Sequence, residues 1–486
     1  MRAVSATGLA PHADDVSEPE TGATRRDDDR RAHGAAADSQ HRREPPTPGG
    51  VPLLGNGWAF VRDPTTAMER WADLDDVVRL SMPGREIHMV TDPAAIERVL
   101  VNEAERFSIG PAQREFFEGA EDDAVTTATG DRWKRLRRAL HPAFAPGRID
   151  AYSDGMAATT ARIVDEWEDG ATIDLAVAAR ILTVDVLADA LLGVDVRGEE
   201  DVVTDAADAI VDRANFRRPG HLLPDWVPTP TERRFRRRFD RLEAFVESVL
   251  TQGAPGRRAD AMDDGDDHDD VLSTLRAARE RGALSAAEVR GNLTALLLAG
   301  HEGPSTAFTM AWYLLSEHPD VLDGLQDEYA AVVDGDRPAG DDHGDLVLTR
   351  RVVAETLRLY PPTTAVNRQT TEPVTLGGYD LPEGTQLMLP QWVLHRDGRF
   401  WDEPERFDPD RWADATADRP EYAYFPFSGG PRQCPGNEFA RRALVLALAT
   451  TVGRVELDVA LEGELSFTPS IQLRPAVDVG AAVRRR

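Results

Sequence analysis

Phe427-Ser428-Gly429-Gly430-Pro431-Arg432-Gln433-Cys434-Pro435-Gly436 is the stretch that decides how this chain is read. Its glycines and prolines build a tight turn that presents a single thiol. Glu438 to about Thr451 reads as a helix that begins directly behind it. A cysteine at a helix N-terminus feels the positive end of the helix dipole, which is expected to lower its pKa. Backbone N–H groups of the turn can also donate to the sulfur. Both effects favour a thiolate, the form that binds a metal. Arg432, two residues earlier, can pair with an anion at the same place. The competing reading is an inert cysteine beside a glycine-rich turn. Agreement of ten consecutive residues in type and spacing weighs against it. Cys434 is the only cysteine among 486 residues, so an intramolecular disulfide and a zinc site built on several cysteines are both excluded.

The chain around this loop is strongly acidic. Its net charge is −29, Asp outnumbers Glu by 52 to 33, and Lys134 is the only lysine. Such a surface is similar to that of proteins from very salty cytoplasm. In molar salt the Debye length is about 3 Å, so self-repulsion is screened while carboxylates keep the protein hydrated. Arg- and Asp-favouring codon usage in a GC-rich genome produces the same bias. Either origin argues against nucleic acid and anionic membranes as partners. Hydrophobic residues at 41% suffice for a large core. No run of about 18 apolar residues occurs, so no membrane span is expected. The first residues lack the apolar core of a signal peptide, and a cytoplasmic protein is expected.

Residues 1–43 are mostly Asp, Arg, Ala, Gly, Ser and His and are expected to form a disordered tail. Residues 44–486 are expected to form one domain, beginning with the stiff run Pro45-Pro46-Thr47-Pro48. Up to about residue 355 the spacing of apolar residues is mostly helical, for example over 133–140, 156–167, 173–192 and 231–250. Residues 254–270 and 334–345 read as loops. The longest helix opens on the capping box Ser285-Ala286-Ala287-Glu288 and runs until His318-Pro319. At roughly 30 residues it spans about 45 Å, and it is apolar on nearly every side, as a buried central helix is. After residue 360 short strands appear at 374–376, 386–389 and 455–459, with Gly377-Gly378 as a hairpin turn. The fold class is therefore mainly α with a small β portion.

With three further motifs, the cysteine loop resembles that of the cytochrome P-450 family, the haem-thiolate monooxygenases, over about residues 45–486. Glu355-Thr356-Leu357-Arg358 matches the family's Glu-x-x-Arg helix, in which both residues share a face and can form a buried ion pair. Pro404-Glu405-Arg406-Phe407 matches the segment that supplies a second arginine, here Arg406, to that pair. Trp133 and Arg137 match a Trp-x-x-x-Arg helix whose residues donate to a haem propionate. The resemblance implies a long central helix over haem b, with Cys434 as the axial iron ligand. It also implies a cofactor site that includes Phe427, Gly430, Arg432, Gly436 and Arg368. Arg132, Lys134, Arg135, Arg137 and Arg138 form a basic cluster expected to dock an acidic electron donor.

The oxygen-binding stretch departs from the family pattern of Ala/Gly-Gly-x-Asp/Glu-Thr-Thr/Ser. It reads Ala299-Gly300-His301-Glu302-Gly303-Pro304. Gly300 is expected to let the helix approach the haem, and Glu302 to serve proton delivery. The hydroxyl that normally follows is absent at Gly303. Pro304 leaves the Gly300 carbonyl without its helical donor, which is expected to kink the helix and admit a water. Thr306 is a possible replacement hydroxyl, and His301 is expected to be structural. The implied function is insertion of one oxygen atom of O₂ into a small apolar organic substrate. Electrons are expected from a separate ferredoxin or flavoprotein, because no flavin or iron–sulfur segment is visible. Peroxide use or isomerisation of an oxygenated substrate is one rival, and a non-enzymatic haem sensor is another. Substrate access is expected around residues 109–127, with Phe116 and Phe117, and 216–231, with Leu222, Leu223, Trp226 and Val227.

Overall fold

A computed structural model describes residues 44–214, 229–252, 270–413, 419–470 and 472–486. The tail 1–43, the loop 253–269 and the access residues 216–228 therefore lie outside the described residues. Helices dominate. The first five are α1 (Gly57–Arg62), α2 (Pro64–Ala72), α3 (Pro93–Glu97), α4 (Pro111–Phe117) and α5 (Gly130–Leu140). There follow α6 (Pro146–Asp165), α7 (Leu175–Leu192), α8 (Glu200–Ala214), α9 (Pro230–Gln252) and α10 (Val271–Glu280). The last are α11 (Ala286–Glu317), α12 (Pro319–Val332), α13 (Val347–Leu359), α14 (Gln391–Leu394) and α15 (Asn437–Arg454). None is long and apolar enough to cross a membrane among the described residues.

The 32-residue α11 organises the helical body. Its capping box forms as the sequence predicts. The Ser285 hydroxyl accepts from the Glu288 N–H, and the Glu288 carboxylate accepts from the Ser285 N–H. α7, α8, α9, α13 and α15 all pack on it, which is why it carries apolar residues around most of its circumference. Gly300 makes room for α7. A Cβ there would lie 2.8 Å from the Leu187 side chain on α7. The absence of a side chain at Gly300 therefore serves the packing of α7 on α11. α11 continues as helix through Pro304, and the Thr183 hydroxyl of α7 donates to the neighbouring His301 carbonyl at 3.3 Å.

Among the described residues ten strands make up the β portion: β1 (Val77–Met82), β2 (Arg85–Val90), β3 (Phe107–Ile109), β4 (Thr172–Asp174), β5 (Val366–Thr370), β6 (Val374–Leu376), β7 (Tyr379–Leu381), β8 (Gln386–Leu389), β9 (Val455–Leu461) and β10 (Val479–Arg485). One sheet has the order β1-β2-β8-β5-β3, with β2 and β8 parallel. A second runs β4-β10-β9, and β6-β7 is the hairpin turned by Gly377 and Gly378, both at positive φ. The sequence reading, mostly helical up to about residue 355, identified no strand there and so missed the β1–β2 hairpin. Its signal is Val77-Val78 and Leu80 against Ile87, Met89 and Val90 across Pro83-Gly84, with Gly84 at φ +74°. Residues 334–345, read as a loop, contain a single 3₁₀ turn, Gly340–Gly344.

Candidate active site

The cysteine loop is shaped by contacts that only glycine allows. Gly430 has φ +64°, and a Cβ there would fall 1.8 Å from the Leu100 carbonyl oxygen. A Cβ on Gly429 would overlap the Tyr422 ring at 2.6 Å. The Cys434 N–H donates to the Phe427 carbonyl at 3.0 Å and closes the loop. Gly436 is the N-cap of α15, and its N–H donates to the Cys434 sulfur. Burial nevertheless dominates and pushes the Cys434 thiol up, against the pull of the Gly436 N–H and Arg137. The lowering expected from the helix terminus is therefore outweighed by desolvation. Cys434 still retains accessible surface. A sulfur wrapped by protein yet accessible lines an interior space.

Three arginines converge beside it. The Arg432 guanidinium lies 4.5 Å over the Trp133 ring, and its Nη2 donates to the Ala128 carbonyl at 3.0 Å. Buried Arg368 donates from Nη1 to the Asn367 carbonyl at 2.8 Å and from Nη2 to the Ser428 hydroxyl at 3.3 Å. Arg137 on α5 feels the charge of Cys434. Burial pushes Arg432 down to about 10; burial and then the nearby Arg432 charge do the same to Arg368. Among the described residues none of these three has a carboxylate partner, whereas Arg358, Arg399, Arg454 and Arg474 all do. The Trp133 indole N–H likewise has no protein acceptor among the described residues. Desolvated cations without counter-ions form a site for an anion. The two carboxylates of haem b, with a thiol nearby for its iron, fit this donor set.

The distal wall is legible on α11. Between Asn292 and Trp312 the residues that are not buried are Leu296, Ala299, Gly300, Gly303 and Pro304. Spaced at three and four, they form one stripe facing a space. The nearest atom to a Cβ on Gly303 would be Pro362 Cβ at 3.7 Å. Pro362 lies six positions before Arg368, on the segment that leads into β5. The Thr306 hydroxyl, the expected replacement, donates its one proton to the Leu473 carbonyl at 3.2 Å. His301 is buried, with Nδ1 2.7 Å from the Leu297 carbonyl, as a structural histidine would be. Glu302 is buried and ion-paired to Arg474.

Glu355 and Arg358 form the expected pair, both fully buried. The second arginine is not Arg406, which is exposed and pairs with Glu403. Arg411 takes the place, its Nε 2.8 Å from Glu355 Oε1. The chain turns Arg411 inward on the 3₁₀ turn Pro409–Trp412, while Arg406 contributes only its carbonyl, which accepts from Arg358 and Arg411.

The basic cluster on α5 is partly committed elsewhere. Arg135 makes a two-pronged pair with Glu288 at 2.6 and 2.9 Å, and Arg132 reaches Asp123 and Glu288. These contacts fasten the helix that carries Trp133 and Arg137 to the start of α11. The hydrogen bonds from Arg135 hold Glu288 down at about 2. A folded-state pKa below the ordinary 4.5 stabilises the fold above about pH 4.5, a contribution lost as pH falls toward 2. Glu288→Gln should lower stability by about 1–2 kcal/mol at pH 7 and flatten the fall between pH 5 and 3. Denaturant titrations of both proteins at several pH values check this.

The cytochrome P-450 family model matches residues 45–473. The chain belongs to this family, whose members carry haem b on a cysteine thiolate, and it is a haem-thiolate monooxygenase. Cyclooctatin synthase of Streptomyces melanosporofaciens is 32% identical, covering 86% of this chain and 90% of that one. Pentalenene oxygenase of Streptomyces avermitilis is 31% identical, over 86% and 92%. Cyclooctat-9-en-7-ol 5-monooxygenase of Streptomyces melanosporofaciens is 30% identical, over 84% and 88%.

Proposed function

We propose that Cys434 is the axial ligand, that Trp133, Arg137, Arg368 and Arg432 hold the propionates, and that the substrate is an apolar, largely hydrocarbon molecule. The observation that carries the cofactor placement is the convergence of three carboxylate-free arginines on the single accessible cysteine. Bound haem supplies the activation of O₂ and its insertion into the substrate. The chain's part is to hold the haem carboxylates with fixed cations, to exclude water, and to route protons. The α11 stripe offers no side-chain donor or acceptor, so it favours an apolar substrate. The hydrocarbon and alcohol named in two relatives agree with that choice. A separate ferredoxin or flavoprotein supplies electrons, and exposed Lys134 and Arg138 remain available for it on α5. Residues 44–486 act as a single domain, and the protein works in the cytoplasm.

Gly303 bears on substrate choice. With Thr306 committed to Leu473, a water or a substrate hydroxyl must stand where a side-chain hydroxyl is missing. Product formed per electron should therefore be low with a plain hydrocarbon and higher with an alcohol. Gly303→Thr should raise it severalfold for the hydrocarbon alone, since the position has room for a side chain. A folded Gly303→Thr protein with unchanged coupling would remove this reading. Faster turnover with hydrogen peroxide than with any donor protein would favour the peroxide-using alternative.

A further inference from the structure

Glu302, the acid of the distal stretch, sits at one end of a chain of four alternating charges. Its Oε1 accepts from Arg474 Nη2. Arg474 Nη1 donates to Asp208 Oδ1 at 2.7 Å, and the same oxygen accepts from Arg180 Nη1 at 2.8 Å. Glu302 is 5% exposed, while the Asp208 side chain is 33% exposed, so the chain runs from the buried wall toward solvent. It joins α11, α8 and α7 through one loop. That loop is itself pinned: the Leu473 N–H donates to the Pro362 carbonyl at 2.7 Å, Leu473 accepts from Thr306, and the Arg474 carbonyl accepts from the Thr468 N–H at 2.9 Å. Arg474 therefore reaches both acids from a fixed base.

We propose that Arg474 and Asp208 are positioning residues that set whether Glu302 can hold a proton: Arg474 is shared between two carboxylates, and Asp208 decides how much of its charge falls on Glu302. This deepens the reading of Glu302 as the acid that serves proton delivery and rests on it. The charged and titratable groups facing Glu302 are Arg474 from the loop, His301 on α11 and Arg180 on α7, with Asp208 on α8 one contact away. Burial alone would raise the carboxyl. Arg474, His301 and Arg180 outweigh it and hold Glu302 at about 2, too acidic to carry a proton at neutral pH. Asp208 works in the opposite direction, because its charge neutralises part of Arg474 and Arg180. Removing Asp208 tightens the hold on Glu302, and removing Arg474 leaves a buried carboxyl that binds a proton. A displacement of α8 away from the loop acts as removal of Asp208 does.

Infrared difference spectra of the haem-loaded protein test this, because a protonated carboxyl has its own C=O stretch, assigned by its loss in Glu302→Gln. Wild type and Asp208→Asn should show no such band between pH 5 and 8. Arg474→Gln should show it, with a midpoint about 1–3 pH units above the ordinary carboxyl value of 4.5, because burial then acts without its main opposing cation. If Arg474→Gln does not fold, Arg474→Gln with Asp208→Asn removes both charges together and should show the same rise. Absence of the band in every folded Arg474 variant overturns the proposal, as does a band in Asp208→Asn as strong as that in Arg474→Gln. If the band appears as expected while the solvent isotope effect on turnover stays unchanged in all variants, the clamp stands. The proton-delivery reading of Glu302 then falls.

Discussion

Replacing Cys434 by serine should abolish the red-shifted Soret band that reduced, CO-bound haem shows when its other axial ligand is a thiolate. The expected loss is complete, because the chain has no second thiol. It is also specific. The loop is closed by backbone groups, the Cys434 N–H on the Phe427 carbonyl and the Gln433 N–H on the Gly430 carbonyl, and a serine keeps both. Circular dichroism and unfolding temperature should change little, so that loss of the band reports the ligand. A normal band in Cys434→Ser would mean that the iron is bound elsewhere and that the arginine cluster holds some other anion.

The largest expected loss of stability belongs to Glu355. Its two oxygens accept from Arg358 Nε and Nη2 at 2.9 and 2.8 Å, Arg411 Nε at 2.8 Å, Trp412 Nε1 at 2.9 Å and the Asp408 N–H at 3.1 Å. Glu355→Gln strands the fully buried Arg358 without a counter-charge, which costs about 3–5 kcal/mol. Set against a net stability of about 5–15 kcal/mol, this should lower the unfolding temperature by about 3–5 °C and sharply reduce haem-loaded yield. Arg411→Gln should follow in the same direction with a smaller loss. Arg406→Gln should be silent, since only the Arg406 backbone enters the network. Equal losses in Arg406→Gln and Arg411→Gln would return the second arginine to Arg406.

The Arg406 case shows where sequence reasoning stops. A motif marks the segment 402–412 that meets the Glu-x-x-Arg helix, but two arginines five residues apart lie in that irregular stretch. Which of them turns inward depends on the 3₁₀ turn at Pro409–Trp412, and no periodicity announces it. Where the signal is local, the reading holds. The capping box of α11, its length, the Gly377-Gly378 hairpin and the strands at 374–376, 386–389 and 455–459 all depend on neighbours within a few positions, whereas β5 and β10 went unread. Gly300 was readable in principle. Residues four apart share a helix face, so Ala299 and Gly303 point together and Gly300 lies about 100° away, toward α7. The Glu302–Arg474 pair had no such signal, because it joins positions 172 residues apart. The short strands β3 and β4, three residues each, are too brief for an alternating pattern to register.

One detail of α5 has a use outside catalysis. Lys134 is the only side-chain amine in the chain, and at 64% exposure it is bound only loosely, 3.7 Å from Asp131. Amine-directed reagents thus meet one side chain, three residues before the arginine that senses Cys434. A dye, a resin or an electrode linker attached there would hold every molecule through the same face of α5.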